Sequence, residues 1–363
     1  MTKLSTPLCP ILGTRLPLIQ APMAGGPTTP ALVAATSNAG ALGSFGFAST
    51  QPEAMQRDIE AVRALTLAPI NLNLFALPQT PPIAAHDQQA ALAAVSGYYA
   101  ELGLPPPVAA KAPYAPDLDA QLNVIEDARP QVFTSHFGTV EQARMHRMQA
   151  AGIRIGVSAT CVAEAQHLQA QGVDFIIAQG AEAGGHRGSY LRDAHDTMTG
   201  TLALTRLIVR AVSIPVVAAG GIMDGAGIAA VLALGAQGAQ LGTAFLTCSE
   251  SGAPPLHKQS LLAAREDTTR VTEKFSGRAA RGLANRFMRE MEERDAAQLA
   301  FPAQNMVTGA LRAASAKAGN PEFVAMWAGQ AAPLAREVPA AQLVAALEQE
   351  TLAALDRLAA LRG

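Results

Sequence analysis

The sequence is poor in the features that would assign it quickly. Its three cysteines, Cys9, Cys161 and Cys248, stand far apart with no paired spacing. That excludes a disulfide framework or a cysteine-based metal site and predicts buried, thiol-bearing small hydrophobes. No HExxH and no Cys/His cluster occurs, so no catalytic metal is expected. Charge is balanced, with 27 Lys and Arg against 29 Asp and Glu, and no basic stripe or acidic block breaks the balance. Nucleic acid is therefore not an expected partner. No run reaches the ~18 uninterrupted apolar residues of a membrane span, because Arg and Glu interrupt even the Ala-rich tail. Met1 to Pro10 lacks the apolar stretch of a secretory signal, which leaves the cytoplasm as the expectation. No GxGxxG follows the first apolar run, against a dinucleotide fingerprint. The few lysines (Lys3, Lys111, Lys258, Lys274, Lys317) avoid the ends of candidate strands, against Schiff-base chemistry. No internal repeat is evident.

What the sequence does have is alternation. At 363 residues and 49% hydrophobic it can bury a large core. Short apolar runs alternate with longer helical patterns, the signature of βα units on a parallel sheet. Eight strands are expected: Leu16–Ala21, Ala41–Gly46, Ile70–Phe75, Val132–His136, Ile153–Ser158, Asp174–Gln179, Pro215–Ala219 and Ala239–Gly242. A helix over Glu53–Leu65 is expected to be capped by Ser49 or Thr50, and one over Asp224–Leu234 to begin on its Asp and end at Gly235. Eight such units fit a (β/α)8 barrel, which needs about 250 residues. The surplus falls in two places. One is an inserted helical segment, 76–130, rich in proline (Pro78, Pro81, Pro82, Pro105–Pro107). The other is a mostly helical C-terminal region, 253–363, packing on the barrel or capping its mouth. The barrel itself is read as 1–75 and 131–252. A doubly wound open sheet is the alternative.

Barrel enzymes keep their chemistry at the C-terminal ends of the strands, and polar or glycine-rich residues fall there in almost every unit. The Gly220-Gly221 and Gly242-Thr243 ends, each before a helix, suit a phosphate; two tight turns are the plainer reading. The amides of Asn73 and Gln179 suit the mixed edge of a heterocycle, or equally a buried backbone group. His186, in a glycine-dense loop, is the candidate general base, although a loop histidine is more often a surface residue. His136, at the end of the fourth strand, and Tyr114, in the insertion, are pocket candidates. His86, His146, His167, His195 and His257 are read as solvated.

Together the runs Gln20–Gly26, Asn71–Phe75, Gln179–Gly188, Ala218–Ile222 and Gln240–Thr243 resemble the nitronate monooxygenases, formerly called 2-nitropropane dioxygenases. Trp327-Ala328-Gly329-Gln330 resembles the bacterial class I branch. The Glu-Ala-Gly-Gly-His-Arg-Gly segment is the most specific part. The resemblance, over about residues 10–335, implies a TIM barrel with non-covalent FMN. It implies FMN contacts at Asn73, Gln179, Gly184, Gly221 and Gln240, Leu241, Gly242 and Thr243, with Pro22 and Met23 against the ring through their backbone. His186 matches the family's active-site histidine, which serves as base toward nitroalkanes or binds the anionic nitronate. A nitronate, with propionate 3-nitronate foremost, and O2 are the implied reactants, and detoxification the implied role. The pattern departs at Phe301-Pro302, where many class I members begin a motif with Tyr-Pro; none of the four tyrosines lies nearby. Two other functions compete: an FMN-dependent NAD(P)H reductase acting on quinones or enoyl thioesters, which shares the histidine loop, and a phosphate-binding barrel without flavin.

Overall fold

The computed structural model describes residues 4–77, 80 and 83–361, so Pro78, Pro81 and Pro82 of the expected insertion lie outside the described residues. In chain order its strands are β1 Leu18–Gln20, β2 Gly43–Gly46, β3 Ile70–Phe75, β4 Val132–His136, β5 Arg154–Ala159, β6 Phe175–Gln179, β7 Gly185–His186, β8 Val216–Ala219, β9 Gly238–Leu241, β10 Thr269–Thr272 and β11 Ala280–Leu283. Eight of them form one parallel sheet in the order β1-β9-β8-β6-β5-β4-β3-β2. Its two edges meet: Ile19 bridges Leu42 in parallel, and the Gln20 amide donates to the Leu42 carbonyl at 2.9 Å. The sheet is a closed (β/α)8 barrel, and the eight strands are the eight expected from the apolar runs.

Strands buried on both faces read as continuous apolar runs, which explains that agreement. Helix starts follow local chemistry. Asp224 caps the helix Gly225–Ala233 by accepting from the Gly227 amide at 2.8 Å, and Gly235 at φ +99° follows its end. The helix Pro52–Leu65 instead begins on Gln51 with no side-chain cap. Thr50 stands one residue before that N-cap, its amide closing a turn on the Phe47 carbonyl and its carbonyl receiving Gln121 Nε2.

At the N-terminal ends of the strands the barrel is filled by apolar side chains. Ile19, Leu42, Val132, Phe175, Ile177 and Val217 pack with Leu8 and Leu12. The latter two come from a short helix, Leu8–Leu12, that plugs this end. Leu8 lies so close to the start of β9 that a Cβ on Gly238 would meet it at 2.5 Å. The opposite end is polar. Cys9 and Cys248 are buried and Cys161 half-buried, all free thiols. No helix among the described residues is long and apolar enough to cross a membrane.

The surplus residues build something the sequence hides. In the insertion, the helix Leu118–Ala128 packs on the barrel through Leu122, Val124 and Ile125. The helix Ala85–Glu101 does not. Its Ala91, Val95, Tyr98 and Tyr99 share a second core with Phe275, Phe287, Met291, Val307, Leu311 and Phe323 of the C-terminal region. Tyr99 Oη donates to the Val307 carbonyl at 2.7 Å. The two excursions are thus one cap. The C-terminal region is also less helical than expected: β10 and β11 form a hairpin, and β11 pairs antiparallel with β7, the strand that carries His186. Its last helix, Ala340–Ala360, returns to the barrel and packs Leu343, Val344 and Leu347 beside Ile228 and Val231, completing the ring.

Inside the barrel Gly156 makes room for the Phe175 ring, since a Cβ there would sit 2.2 Å from it. Gly156→Ala is expected to cost about 1–3 kcal/mol by overpacking, read by denaturant unfolding. Adding Phe175→Leu should recover part of that loss; strict additivity of the two changes would show that the glycine is not there for the ring.

Candidate active site

The polar strand ends converge. Asn73 on β3 stands beside Thr134 on β4 and donates to its Oγ1 (2.9 Å) and carbonyl (3.0 Å). On β6, Gln179 faces the loop that follows it. Its Nε2 donates to the His186 carbonyl at 2.9 Å, and its Oε1 accepts from the Gly188 amide at 2.8 Å. Of the two uses the sequence left open for these amides, the structure displays the backbone-holding one, and in Gln179 both functions are committed to it.

His136 reaches the same carbonyl, its Nε2 lying 3.0 Å from the His186 oxygen and its Nδ1 2.8 Å from Ser158 Oγ. A carbonyl only accepts, so Nε2 carries the proton and Nδ1 receives the Ser158 hydroxyl. Neither nitrogen is free for a ligand, and His136 supports the loop. Burial, with Arg278 and Arg187 nearby, pushes its imidazole down to about 4. Arg187 locks the next residue. Its amide donates to the Ala279 carbonyl at 2.8 Å, and its buried guanidinium donates to the carbonyls of Gln179, Thr197 and Thr160. Glu164, fully buried, accepts from the amides of Thr160, Tyr190 and Leu191 and ties down the far side of the loop. Arg187 lies in the Glu-Ala-Gly-Gly-His-Arg-Gly segment that the sequence singles out, whereas no pattern in the sequence marks Glu164.

His186 itself is half-buried. Aromatic rings wall it in: Phe301 at 5.2 Å between centroids, Trp327 at 5.5 Å, Phe75 at 5.8 Å and Phe137 at 6.4 Å. Its Nε2 lies 3.0 Å from Ser276 Oγ, and its Nδ1 meets no hydrogen-bond partner among the described residues. Burial, then the charge His136 would carry if protonated and the guanidinium groups of Arg278 and Arg312, push the imidazole down to about 3. It is therefore neutral at physiological pH. The Arg278 guanidinium lies 3.9 Å above the Phe137 ring and forms no ion pair among the described residues. The sequence departure at Phe301 thus falls directly against His186.

The other candidates cluster on the adjoining arc of the mouth. Gly220 (φ +122°) and Gly221 (φ +68°) end β8, and a Cβ on Gly221 would press on Glu182 at 3.0 Å. Glu182 accepts from the Thr201 amide (2.7 Å) and hydroxyl (2.8 Å), capping the helix Thr201–Ala211. The Gln240 side chain is turned inward at a half-buried position, and its Oε1 is buried with no partner among the described residues. Thr243 Oγ1 accepts from the Gly329 amide at 2.9 Å. Gly184 is packed so tightly there that a Cβ would meet the Gly329 nitrogen at 2.6 Å. Met23 borders Gly46 of β2 and Gly242 just after β9 and so stands between the first and last units, with Pro22 half-buried beside it. Leu241 turns its side chain outward among the helices, leaving only its backbone to the mouth. Tyr114 lies in the cap, where its hydroxyl receives the Ile83 amide at 3.4 Å, and it packs with the cluster that includes Trp327.

A family model described as "Nitronate monooxygenase" matches residues 6–350. The chain belongs to the nitronate monooxygenase family. It is 44% identical to the nitronate monooxygenase of Paraburkholderia phytofirmans over 97% of its own length and 96% of the relative's. Identity to the nitronate monooxygenase of Pseudomonas aeruginosa is 43%, covering 94% and 97%. Among solved structures, the nitroalkane oxidase from Streptomyces ansochromogenes superposes with a TM-score of 0.89 at 40% identity, covering 97% and 99%. FabK from Thermotoga maritima superposes at 0.76 with 27% identity, covering 98% and 99%. Membership makes the chain an oxidoreductase of the nitronate-oxidising type, and the nitronate monooxygenase fold is the barrel described above.

Sequence reasoning missed Ser276 and Arg278, which reach His186 only through the β10–β11 hairpin. The available signal was slight: Thr269–Thr272 is rich in β-branched residues, but Ala280–Leu283, Ala-Arg-Gly-Leu, is not. It also misread His257, which is buried on the helix Pro255–Leu262 and pushed down to about 4 by that burial.

His136, His186 and His257 are all held below the ordinary 6.5. The unfolded chain therefore binds protons that the folded one refuses. Their contribution is complete above about pH 6.5 and declines as pH falls from there toward 4 and 3. Tm should drop between pH 7 and pH 5, and His257→Gln should flatten that drop. A wild-type Tm constant across this range would contradict the burial of these rings.

Proposed function

We propose that this chain binds FMN at the barrel mouth and oxidises alkyl nitronates with O2, with His186 as the base that extends its reach to neutral nitroalkanes. The observation that carries the reading is a neutral imidazole with one unpartnered nitrogen, set in an aromatic wall at the mouth of a nitronate monooxygenase barrel.

The residues present fit FMN. Gly220 and Gly221 hold backbone conformations that open a close approach to the end of β8, and with Gly242 and Thr243 they would border the phosphate. The orphaned Gln240 Oε1 is a buried acceptor waiting for a donor such as a ring N–H. Pro22, Met23, Asn73 and the Leu241 backbone would line the ring, while Gln179 and Gly184 shape the loop against it. When bound, FMN supplies a carrier for the electrons that the nitronate loses and O2 finally takes up.

The protein's own part is binding and proton transfer. Arg278 lies beside Phe137, donates to the Ser189 carbonyl and, having no ion pair among the described residues, favours an anion at the wall. For a neutral nitroalkane, His186 takes the proton from the carbon beside the nitro group, and the electron pair left behind moves onto the nitro oxygens. For a nitronate that step is already done. Propionate 3-nitronate, whose removal would be a detoxification, is the substrate proposed, with the cytoplasm as the place of action. A second reading is reduction of an acceptor by NAD(P)H on the same flavin.

Visible spectra of the purified protein, recorded without air, separate the readings. A flavin spectrum that changes with propionate 3-nitronate and not with NADH is expected. Bleaching by NADH would move the assignment to a reductase, and a colourless protein that takes up no FMN would end both. His186→Asn should keep FMN and lose turnover of neutral nitroalkanes by on the order of 10²–10⁴-fold; unchanged turnover would remove His186 from the base role. Gly221→Val should lose FMN, since its φ of +68° and the nearby Glu182 leave no place for a branched side chain. Full flavin occupancy in that variant would refute the phosphate site.

A further inference from the structure

We propose that Ser276 is a positioning residue that holds His186 as the Nε2–H tautomer and so makes Nδ1 the basic nitrogen. The proposal rests on the reading of His186 as a base and names what sets that base.

Ser276 is buried, at 1% exposure, and its hydroxyl has one proton to give. Two groups stand within reach: the Arg278 carbonyl oxygen at 3.1 Å and His186 Nε2 at 3.0 Å. If the proton goes to Arg278, the oxygen of Ser276 is left to accept from Nε2–H, and both contacts are hydrogen bonds. If it goes to Nε2, the Arg278 contact becomes two opposed oxygens. The ring proton must then sit on Nδ1, which has no acceptor among the described residues and is set among Phe75, Phe137, Phe301 and Trp327. The first arrangement satisfies both neighbours of Ser276. The second satisfies one, sets the Arg278 carbonyl against an oxygen and gives Nδ1–H no acceptor among the described residues.

Ser276 is itself firmly held. It lies in the connection between β10 and β11, the hairpin that pairs with β7. On one side the Phe275 carbonyl accepts from Thr308 Oγ1 at 2.7 Å. On the other, Gly277 adopts φ +84° against the Leu299 carbonyl, and its own carbonyl accepts from the Phe301 amide at 3.2 Å. The cap thus fixes the serine, and the serine fixes the ring.

The two tautomers would do different work. With Nδ1 bare, the imidazole removes a proton from the carbon beside a nitro group: the C–H bond breaks, an N–H bond forms, and the electron pair passes to the nitro oxygens. With Nδ1 protonated it can only donate a hydrogen bond. A nitronate, already deprotonated, does not need the base. Ser276 therefore governs turnover of neutral nitroalkanes and leaves that of nitronates nearly untouched.

The test uses the FMN-loaded enzyme and two readouts. With ¹⁵N-histidine labelling, the NMR signals of wild-type His186 at neutral pH should show a protonated Nε2 and an unprotonated Nδ1. In Ser276→Ala, kcat/KM for nitroethane should fall on the order of 10–100-fold while that for preformed ethylnitronate stays within about twofold, and Ser276→Thr should restore most of the loss. An Nδ1–H signal in the wild type, or equal losses on both substrates in Ser276→Ala, would overturn the assignment. The wild-type spectrum decides even if the alanine variant does not fold. Unchanged nitroethane turnover in His186→Asn would instead remove the base itself, whichever tautomer is observed.

Discussion

One backbone oxygen, the carbonyl of His186, organises the mouth of the barrel. It receives Gln179 Nε2 from the strand before the loop and His136 Nε2 from the strand two units earlier. Both donors lie where water is scarce, so releasing that oxygen would leave three polar groups unsatisfied at once. The loop consequently has one position. Gly188 can lie against the His136 ring only because it has no side chain; a Cβ there would meet the ring at 2.5 Å. With the backbone pinned from the barrel side, the His186 side chain is directed to the other side, toward the aromatic wall and Ser276.

The wall is a joint product of barrel and cap. Phe75 and Phe137 come from strand ends, Phe301 and Trp327 from the C-terminal region. Their closeness removes water from His186, which keeps the imidazole neutral. A neutral ring can accept a proton, and the cations around it, Arg278 first among them, make an anionic product welcome. Apolar rings beside Arg278, which forms no ion pair among the described residues, give the proposed site a character that a small anion with an apolar carbon end, such as an alkyl nitronate, would fit.

The barrel was legible in the sequence because a parallel strand buried on both faces has no alternation to misread, and each run was ended by its own glycine or helix cap. His186 stood out through the family resemblance of its segment, since the glycines around it shifted the balance against a surface histidine only modestly. What escaped has a common cause: it depends on contacts between residues distant in the chain. The β10–β11 hairpin is short and holds its partner through backbone bonds that any sequence can make, so Ser276 carried no mark. The shared core of Tyr98 with Phe287 and Phe323 joins two segments whose apolar residues each look like ordinary helix faces. His257 sits on a helix whose other residues are mixed, and only the packing of the C-terminal region buries it. Asn73 and Gln179 lie on β3 and β6 as expected, but whether an amide serves a ligand or the backbone is decided by neighbours the sequence does not rank.

The last helix of the chain, Ala340–Ala360, is also the last stave of the barrel. During synthesis the strand β9 is complete long before the segment that covers its neighbours leaves the ribosome, and the entire cap is made in the interval. Ile228, Val231 and Phe245 must wait for Leu343, Val344 and Leu347. These late contacts join residues far apart in the chain, the kind of separation that slows folding. The nascent barrel therefore passes through a stage in which its mouth is already furnished and its flank still open. A ribosome stalled before Ala340 would release a protein with every residue of the catalytic end in place and a greasy seam along its side, ready to be recognised by chaperones or proteases.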